Sequence, residues 1–191
     1  MQNFNRKLIL ENGSVYFGAG FGAAEDVICE AVFNTSMVGY QEIVSDPSYT
    51  GQAVVMTYPI IGNYGITDED FETKTPTIGA LIVREYNDNP SNFRYTKTLS
   101  ELMVECGVPG ISGVDTRKLT REIRDVGSMK CLITSVDAAN QCVYVIEQSG
   151  SAGYETPIAG NSTWRVDRKI TFASLYDNGY IPISHSGLQI G

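Results

Sequence analysis

Residues 7–17, KLILENGSVYF, decide how the chain begins to fold. Two apolar runs flank Asn12-Gly13, a dipeptide that strongly favours a two-residue turn between antiparallel strands. The sequence therefore predicts that the chain opens with a β-hairpin. The glycines of residues 18–22, GAGFG, do not match the dinucleotide-binding fingerprint, because the third glycine comes one residue early. We interpret this stretch as a loop between strands.

Outward from the hairpin, several segments have the length and composition of strands. Residues 52–58 and 77–84 are continuous apolar runs, which are typical of strands covered on both faces. Residues 129–134 have a similar strand-like composition. These segments predict a sheet that extends well beyond the opening hairpin.

Capping residues in the sequence predict two helices. Thr98 begins the capping box S/T-x-x-E, and Gly107 ends that helix. Asp115 is a good N-cap for a second helix, which ends before Gly127. Its apolar residues recur at helical spacing and predict one buried face. They are Leu119, Ile123 and Val126.

The other face of this second helix carries a cluster of basic residues in an otherwise acidic protein. Its members are Arg117, Lys118, Arg121 and Arg124. Two interpretations stay open. The cluster is a solvated face that pairs with Glu122 and Asp125 along the helix, or it is a docking surface for an acidic partner.

Composition excludes several classes of function. The chain has 191 residues and a formal net charge of −8, which argues against nucleic acid as a partner. No apolar run approaches the roughly 20 residues that a membrane helix needs. Residues 1–13 lack the continuous apolar core of a signal peptide. We therefore expect a cytoplasmic protein that does not bind membranes.

The sequence indicates neither a metal site nor a catalytic centre. The four cysteines are scattered without C-x-x-C spacing, and His185 is the only histidine of the chain. The acidic residues 68–70 lack the alternating ligands of a calcium loop. No thiol has a base beside it, so we expect reduced, mostly buried cysteines and no catalytic residue. The cysteines are Cys29, Cys106, Cys131 and Cys142.

The composition changes after residue 148. Residues 149–163 are rich in glycine and serine, as in linkers, and residues 164–191 have too few apolar side chains for a separate domain. We predict a domain at 1–148, a linker at 149–163, and a poorly structured or incomplete tail at 164–191.

Four segments carry a resemblance to a known family. They are FNTSMVGYQEIVSDPSY at 33–49, TYPIIGNYG at 57–65, PSNFR at 90–94 and GISGVDTRKLTR at 110–121. In this order they resemble the N-terminal domain of the small subunit of glutamine-hydrolysing carbamoyl-phosphate synthase, over residues 7–135. The resemblance implies a mixed α/β fold, namely a three-layer β/β/α domain of the swivelling type.

The resemblance also implies partners. In the family, this domain packs on the large synthetase subunit and on a class I glutamine amidotransferase domain, where a cysteine in a G-x-C-x-G setting releases ammonia. The large subunit uses ATP and Mg²⁺ to make carbamoyl phosphate, for arginine or pyrimidine synthesis. None of the four cysteines here has that setting. We therefore expect no catalysis by this chain alone and no cofactor of its own. The tail at 164–191 is weakly similar to the start of an amidotransferase domain, so we expect a truncated second domain.

One site residue follows from the resemblance. The family's Asp-Pro-Ser-Tyr serine helps to bind glutamine across the domain boundary, and the matching residue here is Ser48. Glutamine would bind only with the amidotransferase domain present. The alternative is that the Ser48 hydroxyl caps its own turn. A second hypothesis for the whole chain is a stand-alone binding or regulatory module without catalysis.

Overall fold

A computed structural model describes residues 4–73 and 75–135, together with the backbone of four later strands. Up to residue 135 the strands are β1 (Arg6–Leu10), β2 (Val15–Gly22), β3 (Val27–Asn34), β4 (Gln52–Met56), β5 (Ile60–Ile61), β6 (Ala80–Ile82), β7 (Glu85–Tyr86), β8 (Pro109–Ser112) and β9 (Met129–Ser135). The later strands are β10 (Cys142–Gln148), β11 (Trp164–Thr171), β12 (Ile183–Ser184) and β13 (Gly187–Gln189). The helices are α1 (Tyr40–Ser45), α2 (Leu99–Glu105) and α3 (Thr116–Val126), and a 3₁₀ turn lies at Pro47–Tyr49.

The predicted opening hairpin is confirmed. β1 pairs antiparallel with β2, with Ile9 opposite Val15, and Gly13 has the positive φ of 88° that the turn needs. The predicted glycine-rich loop is wrong, because residues 18–22 lie within β2. A Cβ at Gly18 would overlap the carbonyl oxygen of Ser112 on β8. The glycines therefore permit close packing of neighbouring strands.

Seven strands form a closed barrel in the order β1-β2-β8-β6-β4-β3-β9. β9 closes it by pairing antiparallel with both β1 and β3. The neighbours β3–β4, β4–β6 and β6–β8 are parallel, so each pair needs a crossover connection. Helix α1 lies in the β3–β4 crossover and α2 in the β6–β8 crossover. The fold is therefore mixed α/β and dominated by its sheet.

Two apolar cores flank the barrel strands. Ala53 and Val55 of β4 join a core that includes Leu119 of α3, whereas Val54 and Met56 join a core with α1 and α2. Successive residues of a strand point to opposite faces. β4 is thus covered on both faces, as its continuous apolar run predicts.

Both predicted helices are confirmed. The α2 capping box is complete, since Glu101 N donates to Thr98 Oγ1 at 3.2 Å and Thr98 N donates to Glu101 Oε2 at 2.7 Å. The Asp115 carboxylate caps α3 by accepting from Lys118 N at 3.0 Å. One detail is wrong: Val126, predicted on the buried face of α3, is the last residue of the helix and is 65% exposed.

The strands after residue 141 pair among themselves. β10 lies between β11 and β13, and β13 pairs with β12, all antiparallel. β10 falls within the predicted domain at 1–148 but does not belong to the barrel sheet. The predicted linker at 149–163 and His185 lie outside the described residues, and the domain boundaries stay predictions. Within the described part of the chain, no helix is long and apolar enough to cross a membrane.

Candidate functional site

The segment at residues 33–49 forms the crossover from β3 to β4. It contains α1, a helix of six residues whose N-cap is Gly39 at φ 82°, without a side-chain cap bond. No start signal of the usual kind marks this helix in the sequence. Isolated helices of this length are unstable in water, so α1 depends on contacts with the rest of the fold.

Two polar side chains of α1 provide such contacts. Gln41 is fully buried; its Nε2 donates to the carbonyl of Thr67 at 2.5 Å, and its Oε1 accepts from Thr67 N at 2.9 Å. The Ser45 hydroxyl, also fully buried, donates to the Gln41 carbonyl at 2.9 Å and accepts from Glu72 N at 3.0 Å. These residues fasten the loop after β5 to α1, so their polarity is structural.

A pair of tyrosines fastens the other end of α1. The rings of Tyr40 and Tyr64 stack with centroids 4.0 Å apart. Tyr40 OH donates to the carbonyl of Gly65 at 2.9 Å, and Tyr64 OH accepts from Tyr40 N at 2.9 Å. Burial raises the pKa of Tyr40, which keeps its hydroxyl protonated and able to donate.

Ser48 lies in the 3₁₀ turn that follows α1. The Asp46 carboxylate caps this turn by accepting from Ser48 N at 2.8 Å, and Tyr49 OH accepts from Asn34 Nδ2 at 3.0 Å. The Ser48 side chain is exposed. Among the described residues, its hydroxyl has no hydrogen-bond partner. The turn is thus capped by Asp46, and the Ser48 hydroxyl is left available to a ligand or a partner.

An apolar groove of about 90 Å³ lies beside α1. Its walls include Met37 and Val38, which are 72% and 77% exposed, and also Tyr58 and Ile60. No sequence motif predicted this groove. The available signal was the apolar pair Met37-Val38 within a polar segment.

All four predicted basic residues of α3 are exposed. Lys118 Nζ lies 5.4 Å from the centroid of the Tyr16 ring, and Arg124 Nε lies 3.4 Å from Asp125 Oδ1. For the side chains of Arg117 and Arg121, the described residues offer neither an ion-pair nor a hydrogen-bond partner. No described hydrogen bond or ion pair connects these bases to Ser48, so the two predicted features are separate.

Glu122 forms no described salt bridge along α3, although the charge of Lys118, four residues earlier, helps to lower the pKa of Glu122. Its carboxylate accepts from Asn12 Nδ2 at 2.6 Å, from Tyr16 OH at 2.5 Å and from the Ser14 hydroxyl. Burial alone would raise the pKa of Glu122, but these three hydrogen bonds outweigh it and leave the pKa below its usual value. An ionised Glu122 therefore fastens α3 to the opening hairpin.

The described thiols are poor nucleophiles. Cys29 and Cys131 are buried opposite each other on β3 and β9. Burial raises the pKa of Cys29 to about 12 and that of Cys131 well above its usual value. Burial also raises the pKa of Cys106. Only the thiolate attacks a carbonyl, so none of the three is activated. For Cys142 only the backbone is described. The described residues also contain no group of three or more metal-binding side chains.

The family model and the similar sequences agree on one family. The model of the family "Carbamoyl-phosphate synthase small chain, CPSase domain" matches residues 8–133. The carbamoyl phosphate synthase small chain of Fusobacterium nucleatum is 55% identical over 134 residues, which are 70% of this chain and 37% of that protein. The pyrimidine-specific small chain of Bacillus subtilis is 53% identical over 132 residues, or 69% of this chain and 36% of that protein.

The chain therefore spans little more than a third of the length of these relatives. Among solved structures, the aminopeptidase from Aneurinibacillus sp. strain AM-1 aligns with 71% of this chain and 32% of its own, with a TM-score of 0.42 and 13% identity. That likeness is too slight to carry an argument. The family match covers more than half of the chain, and its residues coincide with the barrel. The chain belongs to the carbamoyl-phosphate synthase small chain family, through its CPSase domain.

Proposed function

We propose that this chain acts as the N-terminal domain of the small subunit of a glutamine-dependent carbamoyl-phosphate synthase. In this role it packs on the large synthetase subunit and completes the glutamine site of an amidotransferase domain. The complete enzyme would convert glutamine, bicarbonate and ATP to carbamoyl phosphate, with ATP and Mg²⁺ bound by the large subunit. The same proposal includes the three-layer β/β/α swivelling arrangement of the family.

The observation that carries the proposal is the family match at residues 8–133, which contains Ser48. The Ser48 hydroxyl is exposed on a turn that its neighbours hold in place. A hydroxyl both donates and accepts, so it can bind the polar groups of an amino acid without adding charge. A turn that is ordered before binding loses little entropy when the ligand arrives.

The chemistry of the described thiols supports a site-completing role without catalysis. Cys29 and Cys131 are buried with raised pKa values, and the sequence contains no G-x-C-x-G segment. Amide hydrolysis by a cysteine needs a thiolate and a base oriented beside it. In this proposal, the attacking thiol belongs to the amidotransferase domain.

The proposal extends to pathway and location. The Bacillus subtilis relative is a pyrimidine-specific small chain, which favours pyrimidine synthesis over arginine synthesis for this chain. We assign the complex to the cytoplasm, as a heterodimer of small and large subunits.

An ammonia-release assay tests the absence of catalysis. The purified chain is incubated with glutamine, and ammonia is measured with a coupled glutamate dehydrogenase reaction. We expect no release above a blank without protein. Ammonia that scales with the concentration of the chain would contradict the proposal.

Size-exclusion chromatography tests the partnership. The chain is mixed with the large synthetase subunit of the same organism, and co-elution is expected. Co-elution combined with a loss of synthesis by the intact enzyme would favour the stand-alone regulatory module instead. Separate elution would contradict the packing role.

A further inference from the structure

We infer that Arg117, Arg121 and Arg124 form the docking surface by which this chain binds an acidic surface of the large synthetase subunit. The inference rests on the proposed function, because it names the part of the chain that the partner contacts. Three features of α3 support it: the position of the arginines, the absence of an ion-pair partner for Arg117 and Arg121 among the described residues, and the chemistry of the guanidinium group.

The three arginines lie along one side of α3. They stand at positions i, i+4 and i+7, which share one face of a helix and here span about 10 Å along its axis. Leu119 and Ile123, on the opposite side, are buried in the barrel core. The helix therefore presents a straight row of positive charge to solvent.

Among the described residues, Arg117 and Arg121 have no ion-pair partner, and Arg124 contacts Asp125. Like charges at this spacing repel and destabilise a helix. Glu122, the carboxylate that would offset them, is bound to the opening hairpin through Asn12, Ser14 and Tyr16. The side chains of Arg124 and Asp125 are both about two thirds exposed, and exposed ion pairs stabilise little. A row of bases with so little pairing among the described residues, on a chain with a net charge of −8, is best explained by an external partner.

Charge complementarity identifies the chemistry of that partner. A guanidinium group is a planar fork that binds a carboxylate through two parallel hydrogen bonds. The acidic remainder of the chain would repel the phosphates of a nucleic acid. Lys118 is held over the Tyr16 ring, so the arginines carry the recognition. The partner is therefore a protein surface whose carboxylates are spaced over about the same length as the row of arginines.

Binding of the chain to the large synthetase subunit, measured by biolayer interferometry at 50 and 300 mM KCl, tests the inference. Wild type is expected to bind more weakly at high salt, because salt screens the charge pairs. The double variant Arg117→Glu/Arg121→Glu should lose about tenfold or more in affinity at low salt and show a smaller salt dependence. Arg94→Glu, an exposed arginine in another loop, is the matched control and should bind as wild type does.

Circular dichroism melting curves establish that each variant is folded. If the double reversal does not fold, Arg117→Gln/Arg121→Gln replaces it and should still weaken binding. Equal affinities of wild type and the folded double variant would overturn the inference while leaving the proposed function intact. No binding by wild type at either salt concentration would overturn the proposed function and this inference together.

Discussion

The crossover segment at residues 33–49 and helix α3 are both rich in polar side chains, but they use them differently. In the crossover, Gln41 and Ser45 are fully buried and bonded to the backbone of the loop after β5. In α3, Arg117 and Arg121 are exposed and unpaired within the described residues. Polarity in a sequence therefore does not by itself identify a site. What distinguishes the two regions is whether the fold already satisfies the polar groups.

Each region contains one exception that supports this comparison. Ser48 is a crossover residue whose hydroxyl has no partner among the described residues, on a turn that Asp46 caps. Glu122 is the α3 residue that the hairpin holds through three hydrogen bonds. Substitutions in the crossover segment and in α3 should therefore differ in their effect on stability, from Gln41→Leu with the largest to the arginine reversals with the smallest.

The largest loss of stability is expected for Gln41→Leu. This change keeps the size of the side chain but leaves the buried N–H and C=O of Thr67 without their partners. The free energy of unfolding should fall by about 2–3 kcal/mol, measured by urea denaturation. The exposed change Glu69→Gln serves as the control and should lie within about 0.5 kcal/mol of wild type. A Gln41→Leu protein as stable as this control would show that the pairing with Thr67 is not structural.

Ser45 and Ser48 compare a buried, hydrogen-bonded hydroxyl with an exposed hydroxyl that has no described partner. Ser45→Ala removes a buried hydroxyl with bonds to Gln41 and Glu72, so we expect a loss of about 1–2 kcal/mol. Ser48→Ala removes an exposed hydroxyl and should change stability by less than about 0.5 kcal/mol. Urea denaturation of both variants gives the comparison. Equal losses would mean that the Ser48 hydroxyl has a structural role after all.

Glu122→Gln should lower stability by about 1 kcal/mol at pH 7, because it removes an ionised acceptor. The folded pKa of Glu122 lies below its unfolded value of about 4.3. Its contribution is therefore complete above that value and is lost as the pH falls through the folded pKa. Urea denaturation at pH 7 and pH 3.5 should show a smaller difference between wild type and variant at the lower pH. A difference that grows on acidification would contradict this assignment.

The smallest effect is expected for Arg117→Glu/Arg121→Glu on the isolated chain. Neither side chain has a described partner to lose, and a carboxylate at residue 117, in the first turn of α3, interacts favourably with the helix dipole. The free energy of unfolding, obtained from the melting curve, should therefore change by no more than about 0.5 kcal/mol. A larger loss would reveal an internal role for these arginines and weaken the contrast with Glu122.

Local sequence signals predict the hairpin turn and the first residues of two helices. Asn12-Gly13 predicted the hairpin, and the capping residues Thr98 and Asp115 predicted the starts of α2 and α3. These features depend on backbone groups a few residues apart, so a single sequence contains enough information to identify them.

Features that depend on distant parts of the chain were not predictable in the same way. Helix α1 has no side-chain cap, since its N-cap is Gly39, and its stability comes from the loop after β5. Residues 18–22 resemble a loop in composition, but the approach of Ser112 on β8 explains Gly18, and the Arg6 side chain of β1 explains Gly20. Closure of the barrel requires β9 to pair with two strands far apart in sequence. The roles of Gln41 and Glu122 likewise depend on partners more than 20 residues away.

The glutamine KM of a complete small chain tests the central claim most directly. Residues 1–133 of this chain are fused to the remaining length of the Fusobacterium nucleatum small chain, and ammonia release is measured over a range of glutamine concentrations. Ser48→Ala should raise KM by about tenfold, the effect of one lost hydrogen bond to the ligand. Ser36→Ala, an exposed serine in the same segment, should leave KM unchanged. An unchanged KM for Ser48→Ala in an active fusion would contradict the account.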